Sequence, residues 1–503
     1  MKSIRKSMAK GAVWMVLFKT LERSLGLISV LVLARLLTPA DFGLVAMATS
    51  LIALLELFSA FGLDTALIQR GDASPDHYNS AWTLNVIAGC SIAAMMLALA
   101  WPAAHFYREP RVTPVIAALA LGAAIQGLEN IGVVTFRKEM RFDREFRFLL
   151  TKKLMQFCTT VPLAIWLQNY WALVAGTIMG RAAGVVLSYM LSPYRPRLSL
   201  KALPDLMHVS KWLVAQNLMA FLKDRSADIV IGRFAGPHAL GVFSASAEIS
   251  NMPGTELVAP INRAILPAYV KLAHDKAALR VEYISVMSVV ALIAVPAVAG
   301  FAVVAPFLVL LILGPKWVEA VSLIQILAFF GITQVLQSNA YSAFIALGKP
   351  QVFVKINAIH VTMLLLTLTS FTWMYGIIGS AWAYVITAIF MLPVNFLFIT
   401  RYLEMNGWTF FSNLWRPLVA ATIMYLGVRL LGPPLPDGVI PSAQAATSLI
   451  TSVALGAPIY ILAILGLWQL SGRPLGAETT ALSQIRSIWF RTRTKLRSLG
   501  ANS

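Results

Sequence analysis

The residues best placed to do chemistry in this chain are three charges inside an apolar run. Lys19, Glu22 and Arg23 lie within residues 12–37, a stretch long enough to cross a bilayer and otherwise almost wholly apolar. On a helix, spacings of three and four residues put all three on one side. A charge at the bilayer centre costs about 2.5–3.5 kcal/mol to insert, and each Leu, Ile, Val or Phe returns about 0.3–0.6. The apolar residues return roughly 4–7 kcal/mol against roughly 8–10 for the charges. The segment inserts poorly alone and sensibly beside a polar cavity between helices. There a Lys and an Arg could hold an anion, and Arg suits phosphate because its planar fork donates two parallel hydrogen bonds. The competing reading is that Lys19 and Arg23 snorkel to the headgroups with Glu22 merely paired.

A second constellation is Asn217, Phe221, Asp224 and Asp228, spaced four, three and four apart on one helical face, with Lys223 and Arg225 beside Asp224. Two carboxylates one turn apart resist joint ionisation. Asp224 and Asp228, with Glu248 and Glu256, are therefore candidates for binding a proton or a sodium ion, and Arg225 for a further phosphate contact. Equally, residues 223–225 could be a self-neutralising structural cluster. Pro253 and Pro260 share a segment with Glu248, Asn251, Glu256 and Asn262. Interior prolines remove backbone hydrogen bonds and bend a helix, making either a gate or a fixed kink. Gln126, Glu129 and Asn130 share a face that could bind sugar hydroxyls or neighbouring helices. Arg181 stands alone in its segment and needs a partner, for which Glu129 is a candidate.

The expected cavity set is thus Lys19, Glu22, Arg23, Gln126, Glu129, Asn217, Asp224 and Arg225. No catalytic group or cofactor is expected. The six histidines are dispersed, and Cys90 and Cys158 lie in separate apolar runs, so neither a metal site nor a disulfide frame is suggested.

The elements that must position these groups are membrane spans. Of 503 residues, 58% are hydrophobic and only 13% charged, about half the charged share of a soluble domain. Apolar stretches near 20 residues recur throughout. They predict fourteen spans near 12–36, 42–66, 80–104, 113–135, 149–168, 170–192, 209–234, 239–266, 283–313, 320–344, 355–375, 377–400, 414–432 and 444–470. The net charge of +19 does not point to nucleic acid. Lys and Arg crowd the connections on the N-terminal side of the membrane, most densely at 137–153, whereas the other side offers Arg108, Arg111 and Lys316. That asymmetry places both termini in the cytoplasm. Residues 136–148 are expected to lie along the inner leaflet, and 482–499 to form a basic interfacial helix.

The chain also repeats itself. A shift of 198 residues superposes Trp14 on Trp212, Arg35 on Arg233, Pro39 on Pro237 and Gly43 on Gly241. A weaker shift of 208 superposes Gln126, Leu128 and Phe136 on Gln334, Leu336 and Phe344. The copies begin six spans apart, so both run in the same sense, and in such transporters substrate binds between the repeats. The expected fold is all-α and polytopic: a six-helix lobe over 1–200, a second over 201–404, two added spans over 405–470 and a basic tail over 471–503.

Residues 11–14 (Gly-Ala-Val-Trp), 33–43 (Leu-Ala-Arg-Leu-Leu-Thr-Pro-Ala-Asp-Phe-Gly), 62–70 and 346–350 (Ala-Leu-Gly-Lys-Pro) resemble the Wzx-type lipid-linked oligosaccharide flippases. These belong to the multidrug/oligosaccharidyl-lipid/polysaccharide exporter superfamily. The nearest branch serves exopolysaccharide, colanic acid and lipopolysaccharide export. The resemblance implies a V-shaped, two-lobed transporter in the bacterial inner membrane, carrying an undecaprenyl-diphosphate-linked repeat unit. Its partners would be membrane lipids, polysaccharide polymerase and export machinery. The alternatives are a drug exporter of the same superfamily and a membrane-embedded glycan-modifying enzyme.

Overall fold

The computed structural model describes residues 2–59, 63–70, 72–206, 211–434, 441–474, 476–479 and 482–483. The expected interfacial helix over 482–499 lies almost wholly outside them, as does the side chain of Trp212. Every regular element among the described residues is helical.

The apolar runs become helices nearly one for one. The first six spans correspond to α1 (Lys2–Leu36), α2 (Pro39–Ser59) with the short α3 (Leu63–Gln69), α4 (Pro75–Tyr107), α5 (Val112–Gly127) with α6 (Val134–Lys138), α7 (Phe142–Leu167) and α8 (Trp171–Leu191). After the short α9 (Leu203–Leu206), the next two spans share α10 (Lys211–Pro253) and α11 (Ala259–Leu272). Then come α12 (Lys276–Ile312), α13 (Ala320–Gln337) with α14 (Ala340–Ala346), α15 (Pro350–Leu403), α16 (Gly407–Leu431) and α17 (Ser442–Leu470).

Two long helices are really two arms each. Gly236 breaks α10 at φ 81° and Gly376 breaks α15 at φ 60°. Only glycine enters those regions without a steric penalty. The expected bend near Pro253 is a π-helical turn, Gly254–Val258, with Glu256 at its centre. The fourth span is broken by 62° between α5 and residues 131–138. Eight helices among the described residues are long and apolar enough to cross a membrane, or nine counting that broken one. With two-armed α10 and α15, and the more charged α1 and α7, this is a multi-pass membrane protein consistent with fourteen passes.

Packing gathers the chain into two compact units. One holds Met1–Ser244, Ile312–Lys316 and Thr372–Ile377; the other holds Ala245–Leu311, Trp317–Phe371 and Ile378–Ser503. The repeat boundary near residue 200 is a division by sequence. The first packed unit instead runs to Ser244, because the start of the second arm of α10 crosses α2 within it, as described below.

In the first unit, α4 and α5 approach through glycines: a Cβ added to Gly89 would lie 2.8 Å from Gly127 Cα. Small residues allow such close helix contacts without any hydrophobic drive from lipid. Leu33 and Leu37 pack on Ala164 and Ala172, fixing the end of α1 against α7 and α8. In the second unit, α12 is buried along most of its length and forms the centre, as an all-round apolar helix should. Tyr460 Oη donates to Leu292 O at 2.8 Å, tying α17 to α12. Arg416 and Glu478 form a 3.1 Å ion pair with side chains only 3% and 5% exposed, fastening the residues after α17 to α16.

Candidate functional site

The side of the spans where α1 begins is the near end, and the side of the 36–39 turn is the far end. Most interior charges of the first unit lie in the near half or the middle. Lys19 Nζ pairs with Glu22 Oε2 at 2.8 Å along α1, and Arg23 is half-buried one turn on. On α10, Arg225 Nη1 pairs with Asp228 Oδ2 at 3.0 Å. Phe221 and Asp228 are buried, Asn217 is half-buried and Asp224 sits at the exposed edge of the face. The two aspartates therefore differ: Asp228 has a cationic partner, and Asp224 faces outward. Both clusters pair along their own helices.

The other polar groups pair between helices. Lys152 Nζ on α7 donates to Glu129 Oε2 at 2.9 Å. Gly184 of α8 makes room, since a Cβ there would lie 2.9 Å from both atoms. Arg181 Nη2 reaches Glu56 Oε1 at 3.5 Å, while its Nη1 is buried without a hydrogen bond. Glu129 is thus not the partner of Arg181, a correction to the sequence reading. Glu129 is taken by Lys152, which a count of basic residues had assigned only to the membrane edge. Gln126 is exposed, and Asn130 instead bonds Tyr194 O at 2.7 Å and Gly132 N at 2.9 Å, capping the turn after α5. In the second unit, Glu248 and Glu256 are exposed, Glu256 on the π-turn. Such turns recur at functional positions in helices.

The far end of the first unit is built differently. Thr38 donates to Asp41 Oδ2 through its backbone N–H at 2.9 Å and its hydroxyl at 2.6 Å, closing the start of α2. Tyr170 N–H donates to the other carboxylate oxygen at 3.1 Å. Pro39 occupies the first turn, where its missing N–H does no harm. One turn further, a Cβ added to Gly43 would strike the carbonyl of Pro237, and one added to Gly241 would strike the carbonyl of Pro39. These are the residues that the 198-residue shift superposes. Residue i meets j as j meets i, the signature of a two-fold relation. The same end holds Arg35 beside Gly314 and Arg233 beside Phe106. The Leu-Thr-Pro-Ala-Asp-Phe-Gly run is therefore a structural device that caps a helix and lets two front spans cross at backbone distance.

An all-helical, multi-pass chain with an internal two-fold between its front spans has the architecture of an alternating-access transporter. Its fold matches the lipid II flippase MurJ in an inward-closed conformation with a TM-score of 0.68 at 10% identity, over 91% of this chain and 99% of that one. It matches an inward-facing multidrug resistance MATE family transporter with a TM-score of 0.58 at 15% identity, over 76% and 94%. Residues 32–322 match the family described as Polysaccharide biosynthesis protein, and the chain belongs to that family. It is similar to the lipopolysaccharide biosynthesis protein WzxC of Escherichia coli (strain K12), 25% identical over 86% of this chain and 89% of that protein. It also resembles the succinoglycan biosynthesis transport protein ExoT of Rhizobium meliloti (strain 1021), 22% identical over 92% and 93%.

Proposed function

We propose that this chain is a flippase: it moves a polyprenyl-diphosphate-linked oligosaccharide repeat unit across the bacterial inner membrane for exopolysaccharide or lipopolysaccharide assembly. The observation that carries this reading is the reciprocal crossing of Gly43 and Gly241 with Pro237 and Pro39. A two-fold contact that shuts one end of the front spans, with charged groups behind it, is what alternating access requires. Family membership and the names of its relatives support polysaccharide as the cargo class. Both termini face the cytoplasm, because the dense basic connections flank the near end. The charged head enters from the inner leaflet and meets Lys19 and Arg23, with Arg225 as a second contact, while the lipid tail stays in the bilayer. Gln126, Glu129 and Asn217 line the glycan's path. Asp224, unlike Asp228, has the exposure needed to take up a proton or sodium ion, with Glu248 and Glu256 as further candidates. The flippase hands its cargo to a polymerase and export machinery.

The decisive measurement uses the full-length protein in liposomes containing a fluorescent polyprenyl-diphosphate oligosaccharide. A membrane-impermeant quencher added outside should reach label delivered from the inner leaflet, and only when the protein is present. Delivery no faster than in protein-free liposomes, with or without proton and sodium gradients, would remove the proposal.

A further inference from the structure

Where α4 runs out, a cleft of about 760 Å³ opens, lined chiefly by Trp101, His105, Phe106, Arg108, Thr113 and Arg233. All belong to the first unit. No acid lines it. The one acid in the adjoining turn, Glu109, is held by Arg111 in a two-pronged pair at 2.8 and 3.0 Å. That fork holds the Glu109 carboxyl below its ordinary range. Among the described residues neither Arg108 nor Arg233 forms an ion pair. Arg233 stacks over Phe106 at 5.7 Å and Phe234 at 6.0 Å, which fixes its guanidinium in place.

The internal repeat sets Arg108 apart from its counterpart. The 208-residue shift carries Arg108 onto Lys316, and the 198-residue shift carries Arg35 onto Arg233. Lys316 is committed to structure, since its Nζ lies 3.4 Å from the carbonyls of Arg35 and Leu36 and caps the end of α1. The equivalent helix end, that of the first arm of α10 before Gly236, is not capped by Arg108, which makes no side-chain hydrogen bond among the described residues. Arg108 also adopts a left-handed conformation, φ 55° and ψ 36°. That costs about 1–2 kcal/mol where glycine would cost nothing. Its side chain is displayed at the cleft rather than used in packing.

Depth identifies the ligand. With 33 residues, α4 is about 50 Å long at 1.5 Å per residue, against a hydrocarbon layer of about 30 Å. Its last turns therefore stand at headgroup level. Trp101, 72% exposed and stacked on His105, is the aromatic anchor expected there.

We propose that this cleft binds a lipid-borne phosphate. Arg108 and Arg233 hold its oxygens, while Trp101 and Phe106 flank the glycerol or sugar it carries. The leaflet rests on the orientation proposed above; the binding rests on the cleft alone. The test uses native mass spectrometry of the full-length protein with two probes, phosphatidylglycerol and undecaprenyl diphosphate. The double substitution Arg108→Gln/Arg233→Gln should weaken at least one probe by about tenfold or more, since two charge-assisted hydrogen-bonding groups are lost. Loss of phosphatidylglycerol alone makes the ligand a bilayer phospholipid; loss of the diphosphate alone makes it the delivered carrier. Binding of both probes unchanged in a variant with the wild-type melting temperature overturns the proposal. So does an equal loss in Arg111→Gln, which removes a charge outside the cleft. Should the double variant not fold, the exposed single change Arg108→Gln carries the same test. Because the assay measures no translocation, its outcome is independent of the flippase proposal.

Discussion

The two ends of the first unit are held by different forces. At the far end the contact is steric: carbonyls of Pro39 and Pro237 lie where any side chain on Gly241 or Gly43 would stand. In the near half and the middle the contacts are electrostatic and replaceable, among them Lys19–Glu22, Lys152–Glu129 and Arg181–Glu56. A backbone crossing has one geometry and fails on the addition of a methyl group. Side-chain ion pairs, by contrast, can turn to new rotamers and re-form. The far end thus acts as a stop with a defined closed position, and the interior as a surface that must accept and release charge.

The largest effect should therefore come from the glycines. Gly43→Ala or Gly241→Ala forces a Cβ into a backbone carbonyl that has no rotamer to adopt. Overpacking of this kind costs about 1–3 kcal/mol, and since only the closed state bears it, the closed-to-open ratio should fall about 5- to 150-fold. The two-fold relation requires similar effects from the two changes. In a protein with Cys90 and Cys158 replaced, Met47→Cys lies buried beneath the crossing, beside Gly232. Its labelling by an impermeant thiol reagent in intact cells should rise in both glycine variants, while Thr38→Cys is labelled in all of them. Unaltered labelling and export would mean that the crossing is not a stop. Labelling of Thr38→Cys only in broken cells would reverse the proposed orientation.

That same contrast governs what could be read from sequence. Hydropathy is a local property, so the fourteen apolar runs reappear as helices, and the fused arms of α10 and α15 still break at Gly236 and Gly376. The repeat was visible because a Trp, an Arg, a Pro and a Gly recurred at one offset. Its physical purpose was not visible, since nothing in the letters says that Gly43 would meet Pro237 and Gly241 would meet Pro39. Charge partners were the least legible. The stem of Arg181 lies over Gly122 of α5, and which acid its tip meets depends on packing around the helix axis, so it found Glu56 and not Glu129. Arg416 found Glu478, from beyond the last span, although the last four spans hold no acid of their own.

The interior charges should give intermediate effects, one by one. Lys19→Ala, Arg23→Ala and Arg225→Ala each remove one of several interior cations, so export should fall severalfold rather than vanish. Arg23→Lys keeps the charge and loses the planar fork, and should be less impaired than Arg23→Ala. Protein levels should hold, because removing a charge from a span lowers its insertion cost. The readouts are surface polysaccharide and lipid-linked repeat units retained inside. Normal export by all three alanine variants would make these charges structural, and the interior would then resemble the far end in kind.

The smallest effect should come from charge at the far end itself. Glu109 and Arg111 are paired there, with side chains 14% and 52% exposed. The Arg111 guanidinium holds the Glu109 carboxyl below the usual carboxylate range and is itself raised by the pair. A carboxyl whose folded value is depressed stabilises the fold above its unfolded value, and that stability is lost as pH falls through the folded value. Solvent reaches the pair from the exposed Arg111 side and screens it, which leaves it worth at most about 1 kcal/mol. Glu109→Gln should thus lower the melting temperature by a few degrees or less at neutral pH. The gap to wild type should narrow as pH drops below the ordinary carboxylate range, and close once Glu109 is protonated in the folded protein. It should also shrink in high salt. A gap that widened on acidification, or a loss at neutral pH as large as that from the glycine variants, would show that charge rather than steric fit holds the far end, and the contrast between the two regions would collapse.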